Sequence, residues 1–403
     1  MADRVDGVRP RVASEQRSLA SYLLLPRPKD AVKWWIFPIA FAYGAAASGG
    51  VSDQQLLRAL LGWVALELLI YQARYQWNDI RGFDADQRHP DAGARGRLPG
   101  PLEAGRRNKA ACWAVAVFRL ALAAALALAF PSLDLLAPLA ALAAAVFAVA
   151  VLYEVLRSAA TGRGGSRSTP VTPVIASLWL VVGGGYAVRG VAGLGFGFDL
   201  AEKPAAAVAA MIALWAFGVA FVTGRWAIES LAFANMDGDA LTWRARREQA
   251  REHTLALTRW LPTRVPGGIR SLRDWRPLLV SGPATPWNAA AIVSAGAAGA
   301  LGRIVAGPAD VGGVAACVAL GVLLAMIVIA PTWGAGVAWV LAAAAVTVGA
   351  ALADVPRPGL ATLPWIVLVG SHLFFSAQSL TTLGHPLRAL FPRTPPAAQP
   401  ERA

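Results

Sequence analysis

Ten apolar runs, each close to the length of a membrane-spanning helix, constrain this chain more than any other feature of its sequence. They lie near 34–50, 55–77, 110–131, 134–156, 171–194, 205–224, 287–305, 313–331, 333–353 and 361–380. A helix of about 20 apolar residues crosses about 30 Å of hydrocarbon. Inside a bilayer only helices and closed barrels satisfy their own backbone groups, and no run alternates as a barrel strand does. The sequence therefore predicts an all-α, polytopic bundle of nine or ten transmembrane helices.

The composition and the two ends of the chain agree with an integral membrane protein. Of the 403 residues, 56% are hydrophobic and 15% are charged, whereas soluble domains are about 45–50% apolar and about 25% charged. Residues 1–30 are polar and lack the apolar core of a signal peptide. We expect a disordered cytoplasmic tail at 1–30, a transmembrane domain at 31–388 and a second disordered tail at 389–403.

The net charge of +13 raises the question of nucleic-acid binding, but the placement of the arginines argues against it. They concentrate in the N-terminal tail and in the loops 78–109, 157–168 and 225–276, while the loops 50–54 and 306–312 contain no Lys or Arg. This is the positive-inside pattern. It predicts a protein of the cytoplasmic membrane whose partner is the lipid bilayer and whose N-terminus and charged loops are cytoplasmic.

An acidic stretch follows the second apolar run, where residues 77–99 read "WNDIRGFDADQRHPDAGARGRLP". On a helix, Asp79 and Asp86 fall within about 20° of each other, with Asn78 beside them. Asp84 lies about 140° from Asp79 and joins them only if the helix opens after Gly82. Converging carboxylates repel one another unless a cation neutralises them. Mg²⁺ prefers such oxygen ligands and usually shares them with substrate phosphates.

Basic residues follow this acidic stretch directly. Arg95 and Arg97 stand in "ARGRLPG", and a guanidinium group binds phosphate oxygens through two parallel hydrogen bonds. The stretch therefore predicts a site for a metal ion and a phosphorylated substrate. A solvated loop of mixed charge is the alternative interpretation.

A second acidic stretch, "FANMDGDALTW" at 233–243, follows the sixth run. On a helix Asn235 and Asp239 share a face, and Asp237 is turned away unless Gly238 breaks the helix. Two such clusters at matching ends of the bundle are able to hold two metal ions around one diphosphate and stabilise its departure. The following "LTWRARREQAREHTLALTRWL" has apolar residues at helical spacing beside a basic face, which predicts a helix at the membrane surface.

These stretches resemble the motifs of a known family. "NDIRGFDAD" at 78–86 is similar to the NDxxDxxxD motif of the UbiA superfamily of intramembrane prenyltransferases, and "NMDGD" at 235–239 to its second motif, DxxxD. The flanking "LLPRPKDAVKWW", "RGRLPGPLEAGRRNKAA", "LYEVLR" and "GGGYAVRGVAG" resemble further family segments in the same order, over roughly 24–260. The chain departs from the pattern at Gly82, for which Asp84 is the expected substitute, and at Asn235.

The resemblance implies a UbiA-like bundle with a central substrate cavity. It also implies Mg²⁺-dependent ionisation of a prenyl diphosphate and transfer of the prenyl group to an acceptor, as in isoprenoid biosynthesis. The catalytic and metal-binding residues it implies are Asp79, Asp84, Asp86, Asp237 and Asp239. The substrate-binding residues it implies are Asn78, Arg81, Arg95, Arg97, Arg157, Arg189, Arg225 and Asn235.

Other activities remain open at this point. "HP" after the first motif and "GRWAIE" at 224–229 resemble the branch that includes decaprenyl-phosphate phosphoribosyltransferase, whose acceptor is a polyprenyl phosphate. Terpene cyclases belong to the same superfamily. A transporter is a further alternative, although the chain lacks paired helices broken by Gly or Pro. The departures at Gly82 and Asn235 would also suit a catalytically inactive relic.

Several ionisable residues lie inside the apolar runs, where charge is costly and usually faces a partner or a cavity. Glu67 and Arg74 are seven residues apart and share a helical face. Arg189 matches an arginine of the resembled fifth-span segment, and we expect it near the site.

Overall fold

The computed structural model describes residues 17–26, 30, 32–90, 92, 95–265, 282–330 and 334–376. Within these ranges, nine helical segments are long and apolar enough to cross a membrane. The predicted all-α, polytopic bundle is therefore confirmed. The apolar run near 34–50 forms only a 12-residue helix and is not one of the nine.

The helices are the following, in chain order. They are α1 Leu19–Leu24, α2 Ile36–Ala47, α3 Asp53–Gln87, α4 Gly105–Ala129, α5 Leu136–Ala160, α6 Pro173–Val181, α7 Gly184–Gly197, α8 Pro204–Glu229, α9 Glu252–Leu255, α10 Pro286–Ala306, α11 Val311–Ile329, α12 Ala335–Leu352 and α13 Pro358–Ser376. The segment Ala65–Ile70 within α3 is π-helical. Short 3-10 turns lie at Val32–Trp35, Leu102–Ala104, Pro131–Leu133, Ser230–Phe233, Arg247–Gln249 and Ala256–Trp260.

Several helices begin at side chains that accept hydrogen bonds from the first turn. Ser52 and Gln55 form a reciprocal capping box at the start of α3. Thr172, Thr285 and Asp310 cap α6, α10 and α11 in the same manner. These caps satisfy backbone N–H groups that have no partner within the helix.

Small residues allow the spanning helices to pack closely. A Cβ atom on Gly193 would lie 2.2 Å from the carbonyl oxygen of Phe37, and one on Gly302 would lie 1.7 Å from that of Ala361. These contacts join α7 to α2 and α10 to α13. Close approach of backbones through Gly and Ala is the usual way in which membrane helices associate.

Three short strands lie on the loops at one end of the bundle. The strands β1 Gly165–Ser166, β2 Ala234–Asp237 and β3 Ala240–Ala245 form an antiparallel sheet in the order β1-β3-β2. Gly238 has φ +57° in the two-residue turn between β2 and β3, a conformation that favours glycine. The predicted surface helix is therefore wrong where it overlaps β3, and residues 266–281 of the same loop lie outside the described ranges.

The predicted N-terminal disorder is also wrong for part of its range. Residues 19–24 form α1, which Ser18 caps. The Arg17 side chain donates to the carbonyl oxygens of Ser21 and Leu25, and the Tyr22 side chain is buried. Residues 1–16 and the predicted tail 389–403 lie outside the described ranges.

Candidate active site

Two aspartates of the first motif lie on one face of α3, about two turns apart, as the sequence predicts. The helix is continuous to Gln87, and Asp79 is only 1% exposed. Arg97 bridges the two carboxylates, because its Nη1 lies 2.5 Å from Oδ1 of Asp79 and its Nε lies 3.8 Å from Oδ2 of Asp86. Arg97 thus lies where two neighbouring negative charges require a cation.

Two further arginines contact Asp86. Nη1 of Arg95 donates to Oδ1 of Asp86, and Nη2 of Arg251 lies 3.2 Å from the same oxygen. Arg251 precedes α9 and is 165 residues from Asp86 in the sequence. The sequence interpretation missed Arg251, since its contact depends on how the long loop after α8 folds back onto α3.

A buried glutamate completes this end of the bundle. Glu154, on α5, is buried and accepts from Nη2 of Arg157 at 2.7 Å. The Asn78 amide, oriented to satisfy its neighbours, donates to Glu154 Oε1 at 2.6 Å and accepts from Arg97 Nη1 at 3.1 Å. Arg81 reaches Glu154 Oε2 at 3.3 Å from the exposed edge. Glu154 was missed as well, although its i,i+3 spacing to Arg157 is a signal for such a pair.

Gly82 lies on the same face of α3, between Asp79 and Asp86. A Cβ atom there would lie 3.3 Å from Oδ2 of Asp86 and 3.5 Å from Nη1 of Arg157. Where the resembled motif has an aspartate, the absence of a side chain leaves this space beside the Arg157 guanidinium.

We call this group of side chains the Asp–Arg cluster. Its members are Asn78, Asp79, Asp86, Arg95, Arg97, Glu154, Arg157 and Arg251. Its four guanidinium groups outnumber its three carboxylates. The Nε atoms of Arg97 and Arg251 are buried and have no hydrogen-bond partner among the described residues. A buried donor without a partner costs free energy, and an anionic ligand would supply the missing acceptors.

Asp84 does not join the cluster, so the expectation that it replaces a carboxylate at position 82 is wrong. Its side chain is 61% exposed, and Nζ of Lys109 lies 3.4 Å from its Oδ1. The physical reason is that α3 stays helical through Gly82. A continuous helix turns Asp84 away from Asp79.

The second motif does not form a helical face either. Asn235, Asp237 and Asp239 are exposed on the β2–β3 hairpin and its turn. The helical spacing that placed Asn235 beside Asp239 therefore does not apply. The residue that the long loop contributes to the cluster is Arg251.

The two remaining predicted arginines lie elsewhere. Arg189 pairs with Glu67, twelve residues before Asp79 on α3 and thus about 18 Å away along the helix. Arg225 lines a separate small cavity between α8 and α13, and its Nη2 donates to the carbonyl oxygen of Phe375 at 3.3 Å. Neither arginine is a member of the Asp–Arg cluster.

Two histidines next to the cluster are held in the neutral form. Burial, reinforced by Arg95 and Arg251, lowers the pKa of His89 to about 3. Burial, with Arg251 nearby, also lowers the pKa of His253 well below 6.5. Both side chains can therefore donate or accept a hydrogen bond at neutral pH without adding charge.

The arginines keep their charge under the same conditions. Burial disfavours the charge on Arg97, but Asp79 and Asp86 outweigh this effect and hold the pKa of Arg97 well above its usual value. Burial and the neighbouring Arg95 lower the pKa of Arg251 to about 10. Both arginines are thus cationic at pH 7 and available to an anion.

The oxygen ligands of the cluster suit one Mg²⁺ ion shared with a substrate. In the part of the chain that the structure describes, no group of three or more His, Cys, Asp or Glu side chains forms a metal cage. Mg²⁺ usually takes one or two carboxylates together with substrate phosphates and water. Asp79 and Asp86 fit that pattern, whereas the exposed hairpin supplies no ligands for a second ion beside them.

None of the protein-family models, curated proteins or solved structures with which the chain was compared matches it.

Proposed function

We propose that the chain is an intramembrane transferase that binds the diphosphate of a prenyl diphosphate at the Asp–Arg cluster and transfers the prenyl group to an acceptor. The observation that carries this proposal is the convergence of three guanidinium groups on Asp79 and Asp86, with a fourth on the neighbouring Glu154, at the end of a membrane-spanning helix. Guanidinium groups match phosphate oxygens in charge and geometry. The apolar spans beside the cluster suit an isoprenoid chain. The positive-inside rule and the arginine-rich loops support a cytoplasmic position of this site at the cytoplasmic membrane.

In this proposal the arginines of the cluster bind the diphosphate, and its aspartates bind the Mg²⁺ ion that neutralises part of the diphosphate charge. The unpartnered Nε atoms of Arg97 and Arg251 are donors for phosphate oxygens. Asp79 and Asp86 would hold Mg²⁺ if Arg97 turned from their carboxylates to the diphosphate. The ion, when bound, adds positive charge at the leaving diphosphate.

The chain would contribute to this reaction mainly by electrostatic stabilisation of the transition state. The allylic C–O bond breaks, and its electron pair stays on the diphosphate oxygen. Arg97, Arg157 and Arg251 stabilise the charge that develops there, which is worth about 10²–10³ in rate for a single well-placed group. A nucleophilic atom of the acceptor then forms a bond to the allylic cation, and the acceptor loses a proton to water.

A second candidate is phosphoribosyl transfer to a polyprenyl phosphate. It is favoured by the exposed positions of Asp84, Asp237 and Asp239, which leave a single pair of motif aspartates in the cluster. The loop after α8 contributes Arg251, and no acidic side chain, as a contact of Asp86. A cluster richer in arginine than in carboxylate suits a reaction in which both donor and acceptor carry phosphate.

Pyrophosphate release by purified protein tests the proposal. With a bacterial lipid extract as the source of acceptor, we expect pyrophosphate release from radiolabelled geranylgeranyl diphosphate in Mg²⁺ and none in EDTA. In a parallel reaction, phosphoribosyl diphosphate and a polyprenyl phosphate serve as substrates. Pyrophosphate release in this reaction alone would show that the chain is a phosphoribosyltransferase. A cyclised product would identify a terpene cyclase.

Matched variants connect the reaction to the cluster. Arg97→Gln should lower the rate about 10²-fold or more. Arg106→Gln makes the same change at an exposed position and should retain the wild-type rate. Absence of release from every donor in Mg²⁺ would contradict the proposed function.

A further inference from the structure

Arg74 lies within the spanning helix α3 and has no counter-ion among the described residues. Its guanidinium group makes no hydrogen bond with them either, and its contacts are with two aromatic rings. The Cζ atom lies 5.2 Å from the ring centroid of Tyr75 and 5.9 Å from that of Tyr153. Such ring contacts offset only part of the cost of a charge in this position.

Three other arginines of the spanning helices have the partners that Arg74 lacks. Arg189 pairs with Glu67. Arg119 and Arg225 donate to backbone carbonyl oxygens. A charged side chain within a span usually faces a partner or a cavity, so that the free guanidinium group of Arg74 indicates a place for an anion.

The position of Arg74 is directly beneath the Asp–Arg cluster. Asn78 follows four residues later on the same face of α3, and its amide contacts Glu154 of the cluster at 2.6 Å. Arg74 therefore lies about 6 Å further along the helix from the cytoplasmic end than Asn78 does. Tyr153, over which Arg74 lies, directly precedes Glu154 on α5. An anion at Arg74 would thus be a close neighbour of a diphosphate at the cluster.

Aromatic side chains from two more helices line the space next to Arg74. The Tyr153 ring lies 6.4 Å from the ring of Trp226 on α8 and 5.7 Å from Cζ of Arg157. All four side chains are half-buried, so that they border accessible space and are not sealed in a core. We call Arg74, Tyr153, Arg157 and Trp226 the Arg74 site.

We propose that the Arg74 site binds the acceptor of the transfer reaction, and that Arg74 pairs with an anionic group of this acceptor. The acceptor would then be an apolar molecule that carries one carboxylate or phosphate. This inference rests on the proposed function, since it assigns the acceptor of that reaction.

The surroundings of Arg74 determine this chemical class. The guanidinium group matches the oxygen atoms of a carboxylate or phosphate through two parallel hydrogen bonds. A neutral acceptor would leave its charge unpaired inside the span. A small inorganic anion would lose its hydration without any gain, whereas an apolar body attached to the anion gains free energy by burial against the aromatic rings.

Two substitutions of Arg74 test the assignment. Arg74→Met removes the charge and keeps an unbranched side chain, and Arg74→Lys keeps the charge without the planar group. Arg107→Met removes an arginine from an exposed position at the start of α4 and is the matched control. The full-length proteins are placed in nanodiscs of phosphatidylcholine, which has no net charge, so that anionic lipids do not compete for the site.

Binding is measured for two pairs of probes that differ in charge. The first pair is 2-naphthoic acid and the neutral 2-naphthamide, and the second is undecaprenyl phosphate and undecaprenol. We expect the wild type to bind the anionic member of at least one pair at least 10-fold more tightly than the neutral member. The pair that shows this difference tells whether the acceptor is a carboxylate or a lipid phosphate.

The difference should disappear in Arg74→Met, remain in part in Arg74→Lys and be unchanged in Arg107→Met. Inorganic pyrophosphate in Mg²⁺ should bind equally to all four proteins, since the contacts of the Asp–Arg cluster with Asp79 and Asp86 do not involve Arg74.

Thermal unfolding without ligand separates a binding role from a structural one. Arg74→Met removes a charge that has no counter-ion among the described residues, so that its midpoint temperature should equal or exceed that of the wild type. An arginine that held the bundle together would give a lower midpoint in the same variant.

Several outcomes would overturn the inference. Equal binding of charged and neutral probes by the wild type would show that no anion site exists at Arg74. A charge preference that persists in Arg74→Met would place the anion elsewhere, and a lower midpoint temperature in that variant would give Arg74 a structural role. If the charge preference depends on Arg74 but the wild type releases pyrophosphate from no donor, the proposed function fails and the bound molecule is not its acceptor.

Discussion

Arg189 donates two hydrogen bonds to Glu67 inside the bundle, from Nε to Oε1 at 2.6 Å and from Nη2 to Oε2 at 3.0 Å. Both side chains are buried and belong to spanning segments. Arg74, which the sequence predicts on the same helical face as Glu67, lies instead over the rings of Tyr75 and Tyr153. The π-helical segment of α3 changes the rotation between Glu67 and Arg74. The Glu67–Arg189 pair thus joins α3 to α7 at a level of the bundle distant from the Asp–Arg cluster.

Removal of one partner of this pair should destabilise the protein more than removal of both. Glu67→Met leaves a buried guanidinium without its counter-ion, and we expect a loss of about 3–5 kcal/mol in the free energy of unfolding. Glu67→Met with Arg189→Met replaces the pair by apolar side chains and should recover most of that loss. Unfolding of the detergent-solubilised protein measures both, and an equal loss in the single and double variants would contradict the expectation.

Asp84 should be dispensable although it belongs to the first motif. Its exposed contact with Lys109 is worth at most about 1 kcal/mol. We therefore expect wild-type pyrophosphate release from Asp84→Asn. Asp79→Asn and Asp86→Asn, which alter buried members of the cluster, should each lose about 10²–10³ in rate. A comparable loss in Asp84→Asn would mean that α3 opens at Gly82 in the working enzyme.

The spanning helices could be predicted from the sequence because the bilayer leaves few alternatives. Apolar runs of the right length must form helices there, and the shared face of Asp79 and Asp86 follows from the period of a helix. Arg95 and Arg97 lie close in sequence to those carboxylates, so that their proximity in the fold was also predictable. These local relationships needed no knowledge of how the loops pack.

The loop after α8 was mispredicted because a helical period was applied to a strand. Gly238 and Asp239 are a sequence typical of a two-residue hairpin turn. Leu241 and Trp243 alternate with exposed residues on β3, as half-buried strands do. These signals were present in the sequence. Arg251 had no such signal, since its contact with Asp86 depends on the position that the sheet gives to the whole loop.

Acidification should destabilise the protein through His89 and His253. Both have pKa values below that of an unfolded histidine, so that below about pH 6.5 the unfolded chain binds protons that the folded chain does not. The free energy of unfolding should therefore fall as the pH drops from 7 to 5, by up to about 1.4 kcal/mol per pH unit for each histidine. Thermal unfolding across this range measures the slope.

The matched variants are His89→Gln, His253→Gln and the two together. Each single change should reduce the slope and the double change should flatten it most, because glutamine does not titrate in this range. An unchanged slope in the double variant would assign the pH dependence to other groups.

Arg251 provides the last prediction, since it is a member of the cluster that the sequence interpretation missed and that contacts Asp86 directly. A hydrogen bond to a charged group contributes about 1.5–3 kcal/mol, and about 1.4 kcal/mol changes an affinity tenfold. Arg251→Gln should therefore weaken the binding of inorganic pyrophosphate about 10–100-fold, as measured by calorimetry in Mg²⁺. Asp86 keeps Arg95 and Arg97 as neighbours in that variant, so that the fold should persist. Arg247→Gln removes the same charge from an exposed position of the same loop and should bind as the wild type does. If the two variants bind pyrophosphate equally, Arg251 acts only through the net charge of the loop and not through direct contact with the anion.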